Sequence, residues 1–172
     1  MDNALLRADC ANCAALCCVA LSFDKSGQFG FDKPAGTPCP HLDPDNRCAI
    51  HAQRRENGFA GCIDYDCFGA GQRVTQEVFA GRTIVDDPAT LRSMMHAFRA
   101  MRQVHELLLL LRTADAMPIS SNQRRTILLL TERLSPQEGW TVDSLSAFER
   151  GSLPDTVRAF LGSLSGVAKR AG

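Results

Sequence analysis

The sequence predicts a mainly α-helical protein: an irregular cysteine-rich metal module over residues 1–80, then a small antiparallel helical bundle over residues 81–172, packed together as one unit. Three observations predict it. All eight cysteines fall between Cys10 and Cys67. The stretch from Ser22 to Pro44 is so rich in Gly, Pro, Asp and Lys that no regular element survives there for long. Beyond Asp87, apolar residues recur at the three-and-four spacing of amphipathic helices.

Taken in order, residues 1–9 read as a lead-in with a single turn through Leu5 and Leu6. Ala14 to Leu21, apolar apart from its thiols, suits either a helical turn or the start of a strand. Phe23, Phe29 and Phe31 alternate as in a short hairpin strand, a cover for a module too irregular to shield itself with helices. Asp43-Pro44-Asp45-Asn46 is a turn by composition. Residues 48–57 are expected to form a short helix ended by Gly58. Gln72 to Val85 reads as a helix, or helix plus strand, interrupted at Gly81.

Asp87-Pro88 then supplies a cap and a first-turn proline. Leu91, Met94, Met95, Phe98, Met101, Val104, Leu108 and Leu111 mark a helix of about seven turns. Leu107, Leu109 and Leu110 widen its stripe, so its end is expected to be buried nearly all round. Met117-Pro118-Ile119 breaks it, and Ser120 or Ser121 caps a second helix marked by Ile127, Leu128, Leu130 and Leu134. Asp143 is the expected cap of a third, stopped by Gly151. Ser152-Leu153-Pro154 opens a fourth carrying Val157, Phe160, Leu161 and Leu164. The residues from Gly166 are expected to fray.

Composition narrows the function. The 19 basic residues equal the 19 acidic ones, so no global field holds the chain on nucleic acid or on anionic lipid. The longest wholly aliphatic run, Leu107 to Leu111, is far short of the roughly 20 residues of a membrane span. The first residues lack a basic region followed by a long apolar run, so no secretory signal is expected. A cytoplasmic location follows as the expectation. There thiols stay reduced, and clustered cysteines favour metal or redox chemistry over a disulfide framework.

Zinc takes four ligands in a tetrahedron, and two cysteines separated by two residues reach one ion across a tight turn. Cys10 and Cys13 have that spacing. Cys17 and Cys18 are adjacent, so one closes the first site while the other serves a second ion or bridges. With Cys39, Cys48, Cys62 and Cys67 the eight thiols suffice for two tetrahedral sites, and more than one ion is expected. Iron–sulfur clusters take the same four-cysteine ligation, so spacing leaves zinc and iron both open.

Cys10-x-x-Cys13-x-x-x-Cys17-Cys18, Pro38-Cys39-Pro40-His41-Leu42, Arg47-Cys48-Ala49-Ile50-His51 and Cys62 resemble the bacterial family of zinc- or iron-chelating proteins named for its CxxCxxCC signature. Three residues rather than two precede the Cys17-Cys18 pair, and His51 stands where that family usually has Tyr. This departure makes His51 a candidate ligand. Residues 8–80, with Gly58-Phe59-x-Gly61-Cys62 and Tyr65-Asp66-Cys67-Phe68-Gly69-Ala70-Gly71-Gln72, also resemble the cysteine-rich head that precedes pentapeptide repeats in some actinobacterial proteins, although no such repeat follows here. Both resemblances imply metal binding.

The remaining chemistry-bearing residues have plainer readings. His96 and His105 are expected on the long helix as solvated or core-edge imidazoles, and Asp64 and Asp66 as turn formers. No Ser/His/Asp set or HExxH element supports hydrolysis. Three function classes stay open: a structural, regulatory or chelating metal protein, an iron–sulfur redox protein, and a metal-dependent protein-modifying enzyme. The helical part is the surface expected to meet any protein partner.

Overall fold

A computed structural model describes residues 4–82 and 88–164. Most of its helices pack on one long helix. The seven α-helical segments among the described residues are α1 (Leu16–Ala20), α2 (Gly61–Asp64), α3 (Ala70–Arg73), α4 (Pro88–Asp115), α5 (Ser121–Leu134), α6 (Val142–Arg150) and α7 (Leu153–Ser163). A 3-10 turn, Cys10–Asn12, precedes α1, and α3 widens into a π turn over Val74–Val78. Helix α4 packs against α5, α6 and α7 on the C-terminal side and against α1, α3 and the π turn on the other. The fold is mainly α, as the sequence predicts.

The core is continuous across both parts. Leu6, Ala14, Leu16, Val19, Ala70 and Val74 from the cysteine-bearing part join Met94, Phe98, Met101, Val104, Leu108 and Leu111 of α4 in one buried cluster. Ile127, Leu130 and Leu134 of α5, Leu145 and Phe148 of α6 and Val157 of α7 complete it. The small helices therefore bury their apolar sides on α4, which stabilises segments too short to hold themselves.

Local chemistry explains the helix ends. Ser120 accepts from the Gln123 N–H while Gln123 reaches back to the Ser120 N–H, a full capping box for α5. Thr141, rather than the expected Asp143, caps α6 in the same manner through Ser144. Two residues upstream suffice because the hydroxyl must reach the third helical N–H. Gly151 ends α6, and Pro154 lies in the first turn of α7. The expected cap Asp87 and the end of the preceding element at Val85 lie outside the described residues, as does the tail from Gly166.

Four expectations are corrected. Leu110 is 50% exposed, so the end of α4 is buried on one broad side only. Leu128 and Leu129 also face solvent, leaving Ile127, Leu130 and Leu134 as the inner row of α5. Residues 48–57 form successive turns, not a helix, because the Arg54 side chain takes the His51 carbonyl that a helical N–H would otherwise claim. The phenylalanines make no strand: Phe23 pairs only with Lys33, in an isolated bridge. Their rings cluster instead. Phe23 stacks on Phe29 at 4.4 Å, and Phe31, Phe59 and His41 pack edge-on or tilted around them. This small aromatic core takes His41 into packing.

Candidate metal centre

The loop that bears Cys10 and Cys13 is stitched to α3 and the π turn by three polar side chains at helical spacing. Gln72 donates to the Arg7 carbonyl at 2.7 Å and accepts from the Asp9 N–H at 3.1 Å. Thr75 accepts from the Ala14 N–H and donates to the Gly71 carbonyl, both at 3.0 Å. Gln76 donates to the Asn12 carbonyl at 3.0 Å. Residues three and four apart share one helix face, so a single row ties down backbone on either side of both cysteines. The sequence carried a faint signal for this, a polar row beside an apolar one, which a search for ligands alone passes over.

Cys67 comes to the same place from the other end of α3. Phe68 and Gly69 are both left-handed, with φ of 51° and 84°, and turn the chain sharply from Cys67 into the helix. The sulfurs of Cys13 and Cys67 then face the bare Cα of Gly71, where a Cβ would stand 2.7 and 3.7 Å from them. Cys17 and Cys18 sit side by side on α1, with their sulfurs 4.0 Å apart.

Cys39 and Cys48 occupy two tight turns. The Cys39 carbonyl accepts from Leu42 N–H at 2.9 Å and the Cys48 carbonyl from His51 N–H at 3.1 Å. Leu42 and Cys48 are bridged, and the Cys39 N–H donates to the Cys18 carbonyl at 2.9 Å, which joins these turns to α1. Arg54 fastens the next cysteine, donating from Nη1 to the Cys62 carbonyl at 2.9 Å and from Nε to the His51 carbonyl at 2.8 Å.

All eight cysteines are free thiols, and only Cys10 is exposed. Burial pushes the Cys13 thiol up to about 12, with the neighbouring Cys17 and Cys67 adding to it. Cys17 is raised well above its ordinary value, first by its contact with Cys18 and then by burial. Burial also raises Cys10, Cys48 and Cys62; Cys17 and Cys67 reinforce the first, Cys39 and Cys17 the second, and Cys17, Cys39 and Cys48 the third. Like charges in one apolar place disfavour ionisation, and Cys17 is the thiol common to every member of this group. Among the described residues, however, no three His, Cys, Asp or Glu side chains stand in an arrangement ready to hold an ion. His51 is exposed on its turn.

Sequence reasoning missed the polar groups around the thiols. Lys33 is only 2% exposed, and its ammonium donates to the carbonyls of Val19, Leu21 and Pro34 at 3.1, 2.5 and 3.2 Å. It closes the C-terminal end of α1, where a cation is favoured, within the field of Cys39, Cys18, Cys17 and Cys62. Burial lowers its pKa. Tyr65 has an enclosed hydroxyl with no hydrogen-bond partner among the described residues, and the Arg102 guanidinium stands over its ring, 5.3 Å from the centroid.

His105 corrects another expectation, since it is fully buried rather than at the core edge. Arg73 faces its Nε2 at 3.4 Å, and Arg only donates, so Nδ1 carries the proton and gives it to the Phe68 carbonyl at 2.5 Å. Arg73 continues to Glu77 at 2.8 Å, and Glu77 accepts from the Trp140 N–H at 2.5 Å. This chain runs from the residue after Cys67 to the start of α6. Burial, aided by Arg73, pulls the His105 pKa down to about 4. The unfolded chain therefore binds a proton near 6.5 that the folded chain refuses until about 4, and stability falls as pH drops through that window. Between pH 7 and pH 5 the loss from this group should be roughly 2 kcal/mol. Urea titrations should show that loss in the native chain and much less of it in His105→Gln; an equal loss in both would remove His105 as its source.

Over 133 residues, 76% of this chain, the sequence is 44% identical to an uncharacterized protein, YybG, of Bacillus subtilis strain 168. The match covers 48% of that protein, so the chain spans about half the length of the curated relative it matches. A stretch of this length cannot be laid on the chain without including Cys48, Cys62, Cys67 and all of α4. The likeness therefore crosses from the cysteine-bearing part into the long helix. No family model matches the chain, and no solved structure matches it. Among the described residues, no helix is long and apolar enough to cross a membrane.

Proposed function

We propose that this chain is a metal-binding protein that chelates zinc or iron through its cysteines, with a structural or regulatory role in the cytoplasm. The observation that carries the reading is the set of eight free thiols from five separate stretches of chain, with the Cys17 and Cys18 sulfurs 4.0 Å apart and those of Cys13 and Cys67 both facing Gly71. Three details fit a thiophilic ion. The donor set is all sulfur and suits zinc or an iron–sulfur cluster. The glycine at position 71 leaves a cradle in which Cys13 and Cys67 sulfurs converge. The Cys17 and Cys18 sulfurs stand 4.0 Å apart, close enough for one ion to be shared between them.

Bound metal would supply the positive charge that makes these thiols ionise. The chain's own residues do the rest: α3 holds the Cys10–Cys13 loop, Arg54 holds the Cys48 and Cys62 turns, and Lys33 closes the C-terminal end of α1, the helix that carries Cys17 and Cys18. The resemblance to the CxxCxxCC chelating proteins supports the same reading. The balanced charge supports a role away from nucleic acid, and the exposed side of α5 is the surface offered to a protein partner.

Cys13→Ala and Cys39→Ala should each lower the metal content of purified protein, measured by elemental analysis, and make it easier to unfold. Unchanged metal content in both would end the proposal.

A further inference from the structure

We propose that the outer face of α5 is a self-association surface, on which a second copy of this chain lays its own α5 antiparallel, about a two-fold axis between Leu128 and Leu129. This names an occupant for the partner surface singled out above and does not depend on what the thiols hold.

The inner row of α5, Ile127, Leu130 and Leu134, is buried in the common core, where α5 packs on α4. At 3.6 residues per turn, the residues directly opposite that row are Arg125, Leu128, Leu129 and Glu132, which form one helical stripe. All four are exposed, Leu128 by 59% and Leu129 by 56%. An apolar centre bounded by charge has the make-up of an interface, with its core and its polar rim.

The stripe is complementary to itself. Arg125 stands three residues before Leu128, and Glu132 three residues after Leu129, so reversing the helix exchanges a cation for an anion and a leucine for a leucine. In an antiparallel pair Leu128 therefore meets the partner's Leu129, and Arg125 meets the partner's Glu132 at both ends. A parallel pair would bring like charges together instead, which disfavours it. On the flanks, Arg133 comes toward the partner's Arg124, whose charge the Asp115 carboxylate already offsets.

The two charges are otherwise unused. Among the described residues neither Arg125 nor Glu132 has an ion-pair partner, whereas Arg124 beside them is taken by Asp115. Glu132 also lies in the last turn of α5, the end at which a helix's own dipole disfavours an anion. An antiparallel partner sets that carboxylate near the N-terminal end of the other helix, where an anion is favoured. A pair of four-turn helices buries less than the roughly 1,200 Å² of a stable interface, so the association should be weak and concentration-dependent.

Sedimentation velocity on the full chain, with a phosphine reductant present to keep disulfides from forming, follows mass against concentration. Wild type should pass from monomer to dimer, and to nothing larger, between about 1 µM and about 500 µM. Arg125→Glu and Glu132→Arg should each weaken the dimer by about tenfold or more, because like charges then meet at both ends. The double variant Arg125→Glu/Glu132→Arg exchanges the signs and should return to within about threefold of wild type. The two single variants, mixed in equal amounts, should pair with each other. Leu128→Gln/Leu129→Gln should stay monomeric and, at low concentration, keep the wild-type unfolding midpoint reported by Trp140, since both side chains lie outside the core.

Wild type that remains a monomer throughout would overturn the proposal and leave the stripe to a different protein. A dimer indifferent to the charge reversals and to the leucine pair would overturn it by placing the contact elsewhere. Metal content should be the same in every variant, so the failure of this proposal and the failure of the metal reading are separate results.

Discussion

Gly69→Ala should loosen the N-terminal thiols and cost on the order of 3 kcal/mol, from left-handed strain together with overpacking. Gly69 has φ of 84°, a conformation that suits glycine. A Cβ there would stand 2.2 Å from the Leu5 carbonyl oxygen, which is backbone and cannot rotate away. Leu6, next to it, is buried in the common core. Pushing this N-terminal turn aside strains the bonds from Gln72 to Arg7 and Asp9, so the effect should reach the cysteines. Thermal unfolding and the alkylation rates of Cys10 and Cys13 check it: both melting temperature and thiol protection should drop. A variant as stable and as protected as wild type would show that residues 4–7 do not hold the loop.

Phe98→Ala should cost about 3–5 kcal/mol, the range for truncating a large aromatic in a core that cannot collapse. Phe98 is 1% exposed in the middle of α4, which packs against both parts of the chain. Because the core is continuous, the loss should appear equally in both. Trp140, the single tryptophan, is buried at the α5–α6 junction with its indole N–H donating to the Leu134 carbonyl, so its fluorescence reports the helical part. Thiol accessibility reports the other. The two probes should lose stability together in urea. Separate midpoints would mean two independently folding units.

The helices after Pro88 were legible because their apolar rows, caps and stops are local. Ser120, Gly151 and Pro154 act within a turn of where they stand. What escaped depends on partners distant in sequence. Whether Leu110 and Leu128 are covered depends on which side of α4 and α5 meets a neighbour, and an aliphatic run has no polar side to say so. The turns at 48–57 follow from where the Arg54 side chain goes. Burial of His105 follows from Arg73 and the Phe68 carbonyl, more than 30 positions away.

The candidate site divides along the same line. The eight thiols were evident from count and spacing, and the structure puts Cys17 beside Cys18, Cys13 and Cys67 together at Gly71, and the Cys39 N–H on the Cys18 carbonyl. Their support was not evident: Lys33 reads as a loop lysine until three carbonyls close on it, and the row at Gln72, Thr75 and Gln76 has no motif to announce it. His51, singled out by a departure from the resembling family, lies exposed on its turn.

The most direct measurement is elemental analysis of the wild-type chain, purified anaerobically without added metal, paired with its visible spectrum. The proposed function predicts zinc or iron bound to the protein, with all eight thiols protected from alkylation until chelator is added. Zinc without visible absorption would mark a structural centre, and iron with acid-labile sulfide a cluster. Protein carrying no metal, with every thiol open to alkylation in the folded state, would contradict the account.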